Sequence, residues 1–215
     1  MTEAEWLTCG GPTPMLAHVG VDPRDRRILF YASGILFANP ALLTPDLMRW
    51  GIAVEKVCDG EVEVEALNDI QRAVEWNVYE LARYGWSGTR AHYSAVADII
   101  SRLIEREQDE ADIPLEEFNI PQEELQPVCR LCAKLLRCIF GNPFRPVTFS
   151  PEWRTSTAIM MAQGMYESRD FGAMPILADA LQDAGCDNDD VLTHCRGTGP
   201  HVRGCWVVDL VLGKE

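Results

Sequence analysis

Positive charge and histidine are scarce in this chain: 19 Lys and Arg stand against 33 Asp and Glu, and only 4 His occur in 215 residues. No Lys/Arg stripe interrupts the acid, so phosphate backbones and anionic bilayer surfaces are repelled. Nucleic acid and membrane are therefore not expected as partners. Long apolar runs are missing as well. The uncharged stretch Ile28 to Leu43 is about four residues short of the ~20 a spanning helix needs. Ser33, Gly34, Asn39 and Pro40 interrupt it, and it reads as a buried helix running into a turn. The opening Met1-Thr2-Glu3-Ala4-Glu5 has neither the basic start nor the apolar core of a signal peptide, which predicts a cytoplasmic protein whose 8 Cys are reduced thiols. Absent too are GxxxxGK[ST], GxGxxG, HExxH and GxSxG, so phosphate-loop, dinucleotide, zincin and nucleophile-elbow chemistries have no foothold.

What the sequence does contain is helix punctuation. Thr2-Glu3-Ala4-Glu5 fits a capping box, and Asp22-Pro23, Thr44-Pro45 and Ser150-Pro151 each set an N-cap residue before a proline at the first helical position. These signals and the apolar spacing predict helices over 23–38, 45–58, 62–84, 91–108, 122–140, 151–167, 173–184, 188–196 and 201–212. Val64, Leu67, Ile70, Val74, Val78 and Leu81 recur at three- and four-residue spacing between charged positions. Alternating strand patterns are nearly absent. The expected fold is all-α, an irregular multi-helix bundle whose short C-terminal helices could stack in solenoid fashion. With 47% hydrophobic residues the chain is long enough to bury a core.

Charge divides the chain unevenly. Residues 1–125 carry 10 basic and 23 acidic side chains, a net of −13, and 126–215 carry 9 and 10, a net of −1. The acidic run from Glu105 to Asp112, followed by Pro114 and Pro121, holds little that can be buried. The expected organisation is an acidic helical part over 1–110, a linker or loop over 111–121 and a compact helical part over 122–215. Gly141-Asn142-Pro143-Phe144-Arg145-Pro146 stops a helix at 140. Phe144 is expected to plug the core, and Arg145, held between prolines, to pair with Asp179 or Asp209.

Two clusters carry metal-ligating chemistry. Cys129-Arg130-Leu131-Cys132 is a CxxC with Cys138 six residues on, and thiols three apart on a helix share a face and could chelate one metal. The tail supplies Cys186, His194, Cys195, His201, Cys205 and Asp209. A helix beginning near His201 would put His201, Cys205 and Asp209 in one row, either as metal ligands with an orienting carboxylate or as a thiol beside an activating imidazole. Cys129 and Cys132 together with His194 and Cys195 would complete a mixed four-ligand zinc site. The competing account is structural: Cys129, Cys132 and Cys138 are small core residues, Gly197 to Pro200 is a turn, His201 caps the last helix, Cys205 and Trp206 pack, and Asp209 pairs with Arg196, Arg203 or Arg145.

The opening Met1 to Leu7, the central Ile139 to Val147, and the closing Pro175 to Leu181 with His194-Cys195-Arg196 and Gly199-Pro200-His201-Val202-Arg203-Gly204-Cys205-Trp206-Val207-Val208-Asp209 together resemble an expanded planctomycete protein family, typified in Gemmata, of unknown function. The resemblance implies a mostly helical cytoplasmic protein. Its pattern takes in the tail and 139–147 but not the CxxC, so it implies a site built from the tail and Arg145. The expected function is a non-enzymatic helical interaction or adaptor module with a protein partner and no cofactor. The alternative is a zinc-binding or thiol-dependent enzyme using the tail cluster.

Overall fold

The computed structural model describes residues 1–20, 25–38, 43–63 and 122–214. Among them are nine α-helices and no strand: α1 Glu3–Thr8, α2 Pro12–Val19, α3 Arg26–Phe37, α4 Pro45–Cys58, α5 Gln122–Phe140, α6 Ser156–Ser168, α7 Met174–Asp183, α8 Asp189–Arg196 and α9 Trp206–Leu212. The chain is all-α, as the helix punctuation predicts. No described helix is long and apolar enough to cross a membrane. The helices expected over 62–84 and 91–108, the acidic run and the 111–121 linker lie outside the described residues, apart from residues 62 and 63.

The caps explain most helix starts. Thr2 and Glu5 close the capping box, with the Thr2 amide donating to Glu5 Oε2 at 2.7 Å and the Glu5 amide to Thr2 Oγ1 at 3.3 Å. The Leu47 amide donates to Thr44 Oγ1 at 3.2 Å, with Pro45 in the first turn of α4. Two starts differ from the sequence reading. Helix α3 is capped by Asp25, whose carboxylate accepts from the Arg27 amide at 2.8 Å, three residues after Asp22. Ser150-Pro151 opens only a short 3₁₀ turn, Pro151–Trp153, and Thr155 then caps α6. Helix α2 carries no side-chain cap; it begins after Gly11 with Pro12 in its first turn, a start the sequence reading missed.

Two compact units make up the chain, Met1–Ala133 and Lys134–Glu215, and their division falls inside α5. The part expected to begin at 122 thus gives its first helical turns to the N-terminal unit. In that unit α3 packs against α4. Every residue from Ile28 to Leu36 is buried, so the uncharged stretch is a helix with no wet face, surrounded by protein. Arg26 ties the pair together: its Nε donates to the Cys58 carbonyl at 3.1 Å and its guanidinium lies 3.7 Å from Asp59.

The C-terminal unit closes on itself. Helix α7 packs on α6 and α8, and α9 returns to pack on α6 as well as on α8. Because the last helix reaches back past its neighbours, the short helices form a closed cluster, whereas a solenoid keeps each repeat on the next. The core of this unit is built largely from small side chains, including Ala158, Ala162, Ala178, Val191, Val207, Val208 and Val211, with Tyr166, Met174 and Leu177. Phe144 does not plug it; the ring is 37% exposed, because two prolines carry its segment along the surface.

Candidate metal centre

Four side chains of the C-terminal unit converge: Cys138 from α5, His194 from α8, His201 from the α8–α9 connection and Cys205 at the N-cap of α9. One donor atom from each lies within 4.8 Å of all the others. His194 Nε2 lies 3.2 Å from Cys205 Sγ, and Cys138 Sγ lies 3.9 Å from His201 Nδ1. The two thiols are buried, Cys138 at 2% and Cys205 at 0% exposure, and both imidazoles are half-buried. This set could hold a metal ion.

Local structure aims each ligand. Asn188 caps α8 by accepting the Val191 amide at 3.1 Å, and His194 falls in the last turn. Gly199 at φ +75 bends the connection so sharply that a Cβ there would stand 3.0 Å from the His201 amide nitrogen, which no L side chain tolerates well. With Nδ1 turned to the cluster, His201 Nε2–H donates to the Gly197 carbonyl at 3.4 Å, the kind of outer contact that fixes a ligating imidazole. The His194 and His201 rings meet edge to face, 4.9 Å between centroids, and Trp206 covers His194 at 5.3 Å.

Trp206 rests in turn on Gly141, the residue that ends α5 one turn after Cys138. Gly141 has φ +64, and a Cβ would stand 3.2 Å from the indole. Gly141→Ala is expected to destabilise the protein by about 1–2 kcal/mol through left-handed strain and displacement of the indole. Thermal unfolding checks it, and an unchanged midpoint would refute the close packing.

Electrostatics within the cluster are asymmetric. Burial pushes the Cys205 thiol up, but a hydrogen bond from Cys138 and the charge and hydrogen bond of His194 carry it well below its ordinary value. Cys138 is correspondingly held well above its own, first by that hydrogen bond and then by burial. Burial lowers His201, yet Cys205 beside it raises it on balance. Of the two thiols, Cys205 is therefore the more acidic and Cys138 the one that keeps its proton.

The sequence reading is corrected at several ligands. Cys129 and Cys132 do not belong to the cluster: Cys132 is buried beside Tyr31 in the N-terminal unit, its thiol pushed up to about 12 mainly by burial. The spacing explains why, since Cys132 and Cys138 on one helix are about 9 Å apart along its axis and point different ways. Cys195 follows His194 by one residue, so it turns into the core, fully buried, its thiol raised chiefly by burial. Cys138, assigned to the core from sequence and buried as expected, is the fourth member of the cluster. No spacing signal marks it, because its partners lie more than fifty residues away.

The row of His201, Cys205 and Asp209 on one helix is not formed either. Helix α9 starts at Trp206 and Cys205 is its cap, so the connection brings His201 to Cys205 by folding back, and the imidazole bonds Gly197 instead of capping α9. Arg196 pairs with Asp179 at 2.9 Å and with Gln182 at 2.7 Å, both exposed. Arg145 is exposed on the surface 3.9 Å from Asp190, outside the cluster. Arg203 lies over the Tyr166 ring at 4.2 Å, and Asp209 is buried on α9. The chain matches no family model, no curated protein and no solved structure.

Proposed function

We propose that this chain is a non-enzymatic helical interaction module whose C-terminal unit is fastened by one zinc ion held by Cys138, His194, His201 and Cys205. The observation that carries the reading is the convergence of two thiols and two imidazoles within 4.8 Å. Tetrahedral zinc with bond lengths of ~2.3 Å to sulfur and ~2.05 Å to nitrogen places its S and N ligands about 3.6 Å apart. The separations of 3.2 and 3.9 Å fall on either side of that value. Mixed thiolate and imidazole donors favour zinc over the hard cations, which prefer oxygen.

A closed set of four protein ligands belongs to structural sites; catalytic zinc keeps one position for water or substrate. The contact of Cys205 with His194 has the components of a nucleophile and base, but a thiol at 0% exposure has no path to a substrate. Apolar side chains stand exposed on α6 and α7, Met160 at 68% and Ile176 at 61%.

Native mass spectrometry of the purified, reduced protein tests the metal. One zinc per chain is expected, lost on acidification and absent from Cys205→Ser and from His194→Ala. A metal-free mass for the wild-type chain at neutral pH would overturn the proposal.

A further inference from the structure

Of the chain's eight cysteines, all free thiols, Cys138 and Cys205 are the two that meet in the four-donor cluster. We propose that this pair is an oxidation-controlled latch: a small peroxide joins Cys138 to Cys205 as a disulfide and the zinc ion departs. The inference rests on the zinc reading above and adds the regulation of that site.

The ligand set makes the response all-or-none. Sulfur supplies only two of the four ligands, so one disulfide removes both anionic donors together and leaves two neutral imidazoles, too few to retain the metal. The atoms and electrons balance with hydrogen peroxide as oxidant. One thiolate sulfur attacks the peroxide O–O bond, becomes a sulfenic acid and releases hydroxide. The second thiolate attacks that sulfur, the S–S bond forms and a second hydroxide leaves. Two electrons pass from the sulfurs to the peroxide, and zinc leaves as Zn²⁺.

Position supports the same pairing. Both sulfurs are covered by protein, whereas the two imidazoles are half-buried and Gly197 and Thr198 beside them are exposed. The oxidant proposed is accordingly one the size of water, hydrogen peroxide, rather than a bulky disulfide reagent. Cys205 follows Gly204, whose φ of +82 places it in a bend rather than inside a helix, so the cap can move toward Cys138 without unwinding α9. The other thiols have different surroundings: Cys9 and Cys58 donate to the carbonyls of Gly11 and Arg26, and Cys132 and Cys195 are buried outside the cluster.

The test uses the full wild-type chain, so no substitution can confuse a folding defect with a lost response. Its zinc content is measured first, and a chain carrying no zinc overturns the metal reading before any oxidant is added. Hydrogen peroxide is then added, released zinc is followed with a chromogenic chelator and the cysteines are mapped by peptide mass spectrometry. One zinc per chain should be released together with a two-hydrogen mass loss and a Cys138–Cys205 cross-linked peptide, all reversed by dithiothreitol and added zinc. Zinc retained by unmodified thiols, release with Cys205 oxidised to a sulfinic acid, or a disulfide between other cysteines would overturn the latch.

Discussion

Chelation of the metal is expected to unfold the C-terminal unit, Lys134–Glu215, cooperatively. The unit is small, and the fraction of surface a chain can bury falls with its size. Its core mixes alanine and valine with leucines such as Leu135, Leu136, Leu177 and Leu181. Zinc bound to a Cys/His set contributes on the order of 10–16 kcal/mol at neutral pH in zinc-finger peptides, which matches or exceeds the ~5–15 kcal/mol that a whole domain retains. Removing it therefore leaves α6 to α9 without a net driving force to fold. Hydrogen exchange reads this directly: slow amides within Ser156–Leu212 should become fast after chelation and slow again with one equivalent of zinc. Protection that survives chelation would show that packing alone holds the unit.

Zinc affinity should rise with pH, because binding releases protons. The sign follows from which protons the metal must displace. Cys205 is held well below its ordinary value, since the hydrogen bond from Cys138 and the neighbouring His194 outweigh its burial, so it gives up its proton more readily than Cys138 does. Cys138 is held well above its usual value by its bond to Cys205 and by burial, so its proton is displaced throughout the physiological range. His201, raised by Cys205 despite burial, adds a second proton at the acid end. Proton and metal compete for these atoms, so affinity falls as pH falls. The metal-free unit slopes the other way: a raised histidine stabilises the fold below the unfolded value near 6.5, and that contribution disappears as pH rises through the higher folded value. Calorimetric titration with zinc in buffers of different ionisation enthalpy counts the protons released. An affinity independent of pH between 6 and 8 would refute the assignment.

The helices were legible because their signals are local. Thr2 with Glu5, Thr44 with Pro45 and Asn188 all act within three residues of the turns they start, and the uncharged run over 28–36 shows its burial in its composition. Ser150-Pro151 misled because a cap signal does not say how many residues follow before the regular helix begins, and Asp22-Pro23 lies outside the described residues. The candidate site was half legible. His194, His201 and Cys205 stood out because scarce residue types crowd into one short tail. Cys138 did not, because the closed packing of α6 to α9, which brings it to them, is a tertiary property that no spacing records. The CxxC at Cys129 and Cys132 drew attention by its regularity and is only helical periodicity.

The position of the ligands along the chain also sets an order of assembly. His194 and Cys205 are 11 residues apart, whereas Cys138 is 63 residues from His201. Closing the longer loop costs about 1.5 kcal/mol more in chain entropy by the logarithmic length dependence. The tail can therefore gather three donors around an ion while the rest of the unit is still a coil. Cys138 would then arrive with the end of α5, so an ion bound there would act as a folding nucleus before it acted as a fastener.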